Sequence, residues 1–423
     1  MKTDFPTVAN ACGVDFGTSN STVGWYRPDA PLLLALEDGK PTLPSVVFFN
    51  ADEDAVYFGR AALAGYLAGY EGRLMRSMKS LLGTGLIDGQ TEVMGRALPF
   101  RDLLAQFYGE LKRRAEVSAG RSFDCAVLGR PVHFVDDDED ADRVAENTLA
   151  EIAEAAGYRH IDFQYEPIAA AFAYEATLAR EELVLVADIG GGTSDFSLVR
   201  LSPERVRQTE RHDDILASAG VHIGGTDFDK YLSLSSVMPL LGMGSALKNG
   251  SQVPSGYYFN LATWHTINLT YTQKIWTQLQ DVLRDAAERD KFERLLELVR
   301  ERSGHWLAIR MEEGKIGLSD AAEIALSLER LAGTPTLDLT RSGFDHAITH
   351  LVERVGATVE QLLQDAGVEP GDIDTVFFTG GSSGVPLLRN TISALLPTAR
   401  AVEGDLFGSI GAGLALDALR KFG

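Results

Sequence analysis

The chain has 423 residues, 45% apolar and 23% charged, with 60 acidic against 39 basic side chains and a net charge of −21. That length exceeds what one compact core holds, so two lobes are expected, and the acidic excess argues against nucleic acid or an anionic membrane as partner. No apolar run reaches a membrane span and the first ten residues lack the apolar centre of a secretory leader, so a cytoplasmic protein is expected.

In chain order, the first β-rich run ends in Val14-Asp15-Phe16-Gly17-Thr18-Ser19-Asn20, an aspartate followed by glycine and hydroxyls. Cys12 and Cys125, the two cysteines, read as reduced, buried thiols. Pro44 to Phe49 reads as a strand and Gly59 to Gly69 as an alanine-rich helix. The segment Arg73 to Gly83 carries three cations; it reads either as a solvated helix end or as the source of one lysine for a phosphate site. Asp102 to Ala119 places Leu103, Leu104, Phe107 and Leu111 at helical spacing. Cys125 to Phe134 is an apolar strand ending at Pro131, and Asp136 to Asp142 suits the acidic first turn of the next helix. Glu166-Pro167 opens a helix with proline in its favoured first turn; Glu166 is either a capping carboxylate or a cleft residue, and the small residues behind it imply close packing.

The central stretch is Leu183 to Ser197. Five apolar residues rise to Asp188, then Gly190-Gly191-Gly192, Thr193, Ser194 and Asp195 follow. Three glycines are costly as a plain turn but let successive N–H groups converge on one anion. Two flanking carboxylates would repel bare phosphate, and a divalent cation between them removes the conflict. The echo of this stretch at Asp15, about 170 residues earlier, suggests two related halves facing one ligand. Further on, Ser218 to Leu232 contains Gly224-Gly225 at a loop-to-helix junction able to receive phosphate. Leu241 to Gly256 reads as a loop, and Lys274 to Arg302 as a peripheral helical region. Glu312 and Lys315 share a helix face. Asp374 to Gly384 is a buried strand breaking into the turn Gly380-Gly381-Ser382, with helices expected at Val385 to Leu395 and Phe407 to Ala418. His346 and His350 have no carboxylate between them and read as ordinary helix residues. A P-loop and a nucleophile elbow are both missing from the sequence.

The ordered set GVDFGTSNS, RSMKSLLG, EPIAAAFAY, DIGGGTSDFS, GGTDFD, EEGKIGLS and FFTGGSS resembles the nucleotide-binding domain of the DnaK (heat-shock-seventy) chaperones, in the actin and sugar-kinase superfamily, over Gly13 to Ala418. Within that family the chain resembles the YegD-like branch of short DnaK relatives. It implies an α/β, two-lobed actin-like ATPase fold, each lobe built on a duplicated RNase-H-like mixed sheet flanked by helices. The expected lobes are residues 1–182 and 183–423, with a helical subdomain over about 230–318 and no peptide-binding domain.

By the same resemblance, Asp15 and Asp188 hold Mg2+, while Gly17, Thr18, Ser19 and Asn20 face the phosphates of ATP or ADP together with Gly190, Gly191, Gly192 and Thr193. Lys79 falls at the catalytic lysine, and Glu166, Thr193 and Asp195 surround the attacking water. Gly224 and Gly225 meet phosphate, Glu312 and Lys315 the ribose, and Ser319, Gly380, Gly381 and Ser382 the adenosine. Asp405 falls at the base-side pocket, and Pro131 and Arg143 resemble switch elements between the lobes.

Three departures stand out. Ser80 replaces the usual arginine after the lysine. Ile316 and Gly384 stand where cations sandwich the adenine, contacts worth up to about 2 kcal/mol each. The stop at Gly423 leads to the expectation of a chain without a lid or sandwich domain. The function expected is a slowly hydrolysing ATPase switch, a monomer with a protein partner or co-chaperone; a nucleotide-holding scaffold, a small-molecule kinase and a filament protein are the alternatives.

Overall fold

Both aspartate-ended runs fold as the first strand of a hairpin, and each hairpin founds a sheet. The computed structural model describes residues 10–28, 30–135, 138–205, 208, 210–331, 333, 336–405 and 408–423. Most of the stretch read for a leader, Asp136 and Asp137 of the acidic run, and Phe407 lie outside the described residues.

The first half runs β1 (Ala11–Phe16), β2 (Asn20–Gly24), β3 (Thr42–Pro44), β4 (Val46–Asn50), β5 (Ala55–Phe58), α1 (Gly59–Leu67), β6 (Gly72–Arg76), β7 (Gln90–Val93) and β8 (Arg96–Pro99). It continues with α2 (Phe100–Ala119), β9 (Cys125–Arg130), α3 (Glu139–Ala155), β10 (His160–Tyr165) and α4 (Glu166–Glu175). The second half begins β11 (Glu182–Ile189), β12 (Ser194–Leu201), β13 (Ile215–Val221), α5 (Gly225–Ser236), α6 (Gly256–Ala262), α7 (Gln273–Asp285), α8 (Arg289–Arg300) and α9 (Gly304–Asp320). It closes with β14 (Glu323–Ser327), β15 (Thr336–Thr340), α10 (Arg341–Ala366), β16 (Thr375–Thr379), α11 (Pro386–Leu395), β17 (Arg400–Glu403) and α12 (Ser409–Phe422).

The two main sheets have one topology. Read as β3-β2-β1-β9-β10 and β13-β12-β11-β16-β17, each has two antiparallel pairings followed by two parallel ones. Phe16 pairs with Ser21 and Ile189 with Ser194, so the two turns are equally long and Asp15 corresponds to Asp188. This register corrects one detail of the echo. Ser194 matches Ser21, so the pair Thr193-Ser194 corresponds to Asn20-Ser21 and not to Thr18-Ser19.

Apolar periodicity explains the layers. Leu103, Leu104, Phe107 and Leu111 of α2 are fully buried against β1, with the Phe16 ring 5.6 Å from Phe107 and 5.2 Å from Tyr108. Leu185, Ala187, Ile189, Phe196 and Leu198 pack with Phe344, Ile348 and Val352 of α10. A third core joins the halves: Val184, Val186 and Phe377 meet Ile168 to Phe172 of α4 and Leu414 and Ala418 of α12. The small residues of α4 do face a close neighbour, since a Cβ on Gly413 would lie 1.9 Å from the Ala169 carbonyl oxygen.

Helix α12, last in sequence, packs on β1, β2, β9 and α4. A Cβ on Gly13 would lie 2.3 Å from Leu414 carbonyl carbon. The small-residue faces of β1, α4 and α12 thus lie in close contact across the two halves of the sequence.

Pro44 to Phe49, Ser218 to Leu232 and Cys125 differ in detail from expectation, and the charged region Lys274 to Arg302 is helical as read. Pro44 to Phe49 is not one strand: it divides at Ser45, β3 closing the first sheet while β4 enters a separate β5-β4-β6 layer. Ser218 to Val221 finish β13 before the junction to α5. The charged region becomes α7 and α8, whose Leu279, Phe292, Leu295 and Val299 are buried. Cys12 is buried but Cys125 only half-buried, both free, and burial pushes the Cys12 thiol up to about 12. Among the described residues no helix is long and apolar enough to cross a membrane.

The far end of α4 is held by charge. Arg211, fully buried, donates to both Glu175 carboxylate oxygens at 2.8 and 2.9 Å and also to Asp214. Asp214 accepts from Arg205 as well, and the Ser202 N–H donates to Glu175 at 3.1 Å.

Candidate functional site

The two turns face each other between the sheets. A Cβ on Gly191 would lie 2.1 Å from Ser19 Oγ, and one on Gly192 4.0 Å from Thr18 Cγ2. The glycine loop is held from behind: Gly225 N–H donates to Gly190 O at 3.0 Å, and Thr226 N–H and Oγ1 both donate to Gly191 O at 2.8 Å. In a trans peptide the carbonyl and the next N–H point opposite ways. With those carbonyls turned to α5, the N–H groups of Gly191 and Gly192 turn away from it. Gly224 backs the same loop, since a Cβ there would lie 2.6 Å from Gly192 N. Gly225 opens α5, so the helix N-terminus adds its own electropositive end.

Four charged residues stand at the mouth of these turns. Asp15 and Asp188 end equivalent strands, Glu166 opens α4, and Lys79 lies on a short helical turn, Met78–Leu81, entered through left-handed Ser77 (φ 58°). Lys79 Nζ lies 2.5 Å from Glu166 Oε1 with both side chains largely buried. This settles two alternatives left open by the sequence: the cation segment turns a lysine inward, and Glu166 is its partner and not a cap.

Burial, then the Glu166 charge, pushes Asp15 up to about 7 against the pull of Lys79 and a 3.5 Å hydrogen bond from Thr22. Burial, then Asp195, Glu166 and Asp15, pushes Asp188 up to about 8. For Lys79 burial works against the charge, but Glu166 and Asp15 outweigh it and hold the ammonium above its ordinary range. Thr193 Oγ1 donates to Asp195 Oδ2 at 2.7 Å.

Carboxylates crowded this way suit a hard cation. Among the described residues no cluster of three or more His, Cys, Asp or Glu side chains forms a protein cage for a metal. Magnesium needs none, since it takes one or two carboxylates and completes its shell with water and phosphate oxygens.

The remaining predicted residues fall beside the second sheet. Gly380 is left-handed (φ 82°), and a Cβ there would lie 2.4 Å from Asp188 Oδ1; Gly381 follows it into a short helical turn, Gly381–Gly384. Ser382 and Lys315 meet at Gly225, where a Cβ would lie 2.3 Å from Ser382 Oγ and 3.0 Å from Lys315 Nζ. Lys315 is buried and bonded to Asp229 (2.9 Å) and Gly225 O (3.2 Å); burial, opposed by Lys315, pushes Asp229 up to about 6. Glu312 is half-buried and turns instead to Arg76, 3.9 Å away. Ser319 Oγ donates back to Lys315 O at 3.3 Å, and Ile316 is 56% exposed. Asp405 follows β17, beside Phe378, whose carbonyl accepts from Gly404 N–H at 2.9 Å. Arg143 is exposed and pairs with Asp140, whereas Arg130, beside Pro131, is buried and donates to Asp142 at 2.6 Å and to Glu146.

Sequence reading missed several residues around the site. Asp229 was visible only as part of GGTDFD. A cross-contact joins the β5-β4-β6 layer to the helical layer: Tyr66 OH lies 2.7 Å from His305 Nδ1, and the Arg76 guanidinium 4.4 Å from the Trp264 ring. Burial lowers His305 to about 4. No local pattern announces such contacts, which depend on how separate layers meet.

Two sheets of one topology, with paired phosphate-type turns and strand-end carboxylates between them, define a two-lobed actin-like ATPase fold. The family model described as "Hsp70 protein" matches residues 11–237 and 287–419. The chain belongs to the Hsp70 family, whose members are ATPases that bind ATP and ADP. The interruption, 238–286, covers α6 and α7. Among similar curated proteins are the "Chaperone protein DnaK" of Thermosipho melanesiensis, 28% identical over 391 residues covering 90% of this chain and 54% of that protein. That of Thermosipho africanus is 28% identical over 412 residues (95% and 58%), and that of Thermotoga maritima 29% identical over 390 residues (90% and 54%). The chain thus spans about half the length of the curated relatives it matches.

Proposed function

We propose that the chain is a DnaK-type ATPase of the YegD-like branch that binds Mg-ATP between its lobes and hydrolyses it slowly as a conformational switch. The observation that carries this reading is the Lys79–Glu166 pair at 2.5 Å, set beside Asp15 and Asp188 at the mouth of two facing turns. Magnesium, when bound to those aspartates through water, supplies charge neutralisation on the phosphate oxygens. The amides of Gly191 and Gly192 and the hydroxyls of Thr18 and Ser19 hold the phosphates. Lys79, kept charged by its carboxylate neighbours, stabilises the charge that develops on the transferring group. Glu166 orients Lys79, and Asp195 with Thr193 Oγ1 accepts hydrogen bonds from the attacking water. A protein partner that recognises one lobe arrangement would receive the signal, and the cytoplasm is the compartment proposed.

A second reading, a scaffold that holds nucleotide without turnover, draws on the adenosine side, where Lys315 is already bound by Asp229 and Ile316 is exposed. Single-turnover hydrolysis of Mg-ATP by the wild type, Lys79→Ala and Asp188→Asn, with calorimetric binding on the same samples, separates them. Slow hydrolysis lost in both variants, with binding kept in Lys79→Ala, supports the ATPase. Tight binding without turnover supports the scaffold, and a wild type that binds no nucleotide refutes both.

A further inference from the structure

Ser45, which the sequence shows only as one residue of a strand, stands where the chain leaves the first sheet for the β5-β4-β6 layer. It is fully buried, and three polar contacts converge on it. Its N–H donates to Ser19 O at 2.9 Å, its Oγ donates to Gly17 O at 2.7 Å, and Ser21 Oγ lies 2.9 Å from that same oxygen. A hydroxyl has one proton; with Ser45 spending its own on Gly17, Ser21 is the donor between the two.

Gly17 and Ser19 flank Thr18, so Ser45 grips the first turn on both sides of its tip. Because carbonyl and following N–H oppose each other in a trans peptide, drawing Gly17 O and Ser19 O toward Ser45 turns the N–H groups of Thr18 and Asn20 away from it. The turn has little slack to find this geometry otherwise, as a Cβ on Gly17 would lie 2.2 Å from Asn20 O. Ser45 is also the first link to Lys79. The next residue, Val46, pairs with Arg76 at the end of β6, and Ser77 then turns the chain into the lysine segment. One buried side chain thus fixes the turn, and its own backbone leads into the layer that carries the lysine.

We propose that Ser45 is a positioning residue for phosphate binding, holding the Gly17–Asn20 turn with the Thr18 and Asn20 amides presented to the phosphates. This rests on the nucleotide reading above. The test is calorimetric titration of the full chain with adenosine and with Mg-ATP, for wild type, Ser45→Ala and Ser21→Ala. Ser21→Ala leaves the Ser45–Gly17 hydrogen bond in place and serves as the control for loss of a buried hydroxyl. The expected result is a loss of Mg-ATP affinity on the order of tenfold in Ser45→Ala, with adenosine affinity unchanged and Ser21→Ala close to wild type for both ligands. A merely structural hydroxyl would weaken adenosine and Mg-ATP alike, or neither, and either outcome overturns the proposal. If Ser45→Ala does not fold, Ser45→Cys keeps a weak donor in the same place and the same ligand comparison decides. A wild type that binds neither ligand refutes the nucleotide reading itself, and Ser45 then has no phosphate to position.

Discussion

Replacing Arg211 by methionine tests how strongly the far end of α4 is held. The guanidinium spans Glu175 and Asp214, and the Arg211 and Glu175 side chains are wholly removed from solvent. Without it Asp214 keeps Arg205, but Glu175 keeps only the Ser202 N–H among these contacts. The variant therefore leaves one buried carboxylate facing only the longer-range charge of Arg420, a change that costs up to about 3–5 kcal/mol out of a typical total of roughly 5–15 kcal/mol. Adding Glu175→Leu removes the orphan while Asp214 stays paired, so the double variant should recover to within about 1 kcal/mol of wild type, because buried pairs exchange for apolar groups at little net cost. Urea denaturation followed by circular dichroism, with matched slopes, measures both. A single variant costing under about 1 kcal/mol, or a double variant no better than the single, would refute the account of the clamp.

Two further outcomes are expected. Asp15 and Asp188 titrate in the fold near 7 and 8, above their unfolded values near 3.8. The stability tied to their protonated forms is fully present below the unfolded value and is lost as pH rises through the folded one. The nucleotide-free protein should therefore lose stability between pH 4 and 8, and Asp188→Asn should raise its melting temperature at pH 8 while removing any stabilisation by magnesium-nucleotide; a flat profile in thermal melts would contradict this. Gly413→Ala must push α12 off α4, since the new methyl would lie 1.9 Å from Ala169 O. It should cost about 1–3 kcal/mol or more in the same urea assay, and a neutral result would mean the helices are less tightly apposed than described.

What was legible in the sequence had a local cause. The aspartate-glycine turns are written in one stretch each, because a close backbone approach selects glycine wherever it occurs. The amphipathic faces of α2 and α8 follow from spacing alone. Lys79 could be singled out only by resemblance, since nothing in RSMKSLLG distinguishes a buried lysine from a solvated one until Glu166 arrives from another element. Arg130 and Ser45 were hidden for a similar reason. One ends an apolar strand and the other interrupts one, and the partners of each come from elsewhere in the chain. Arg143, like Lys79, was singled out by resemblance, and the direction of its side chain was not legible.

The position of α12 has a consequence for synthesis. Strands β1, β2 and β9 leave the ribosome early, yet the helix that covers one face of them is made only after the whole second sheet. At about 5–20 residues per second the roughly 240 residues from β11 onward take on the order of 12–50 s, during which the seats of Leu414 and Ala415 against Gly13 and Gly24 stay uncovered. The glycine-lined face of the first sheet is thus a surface that a nascent chain must keep from other partners until α12 arrives.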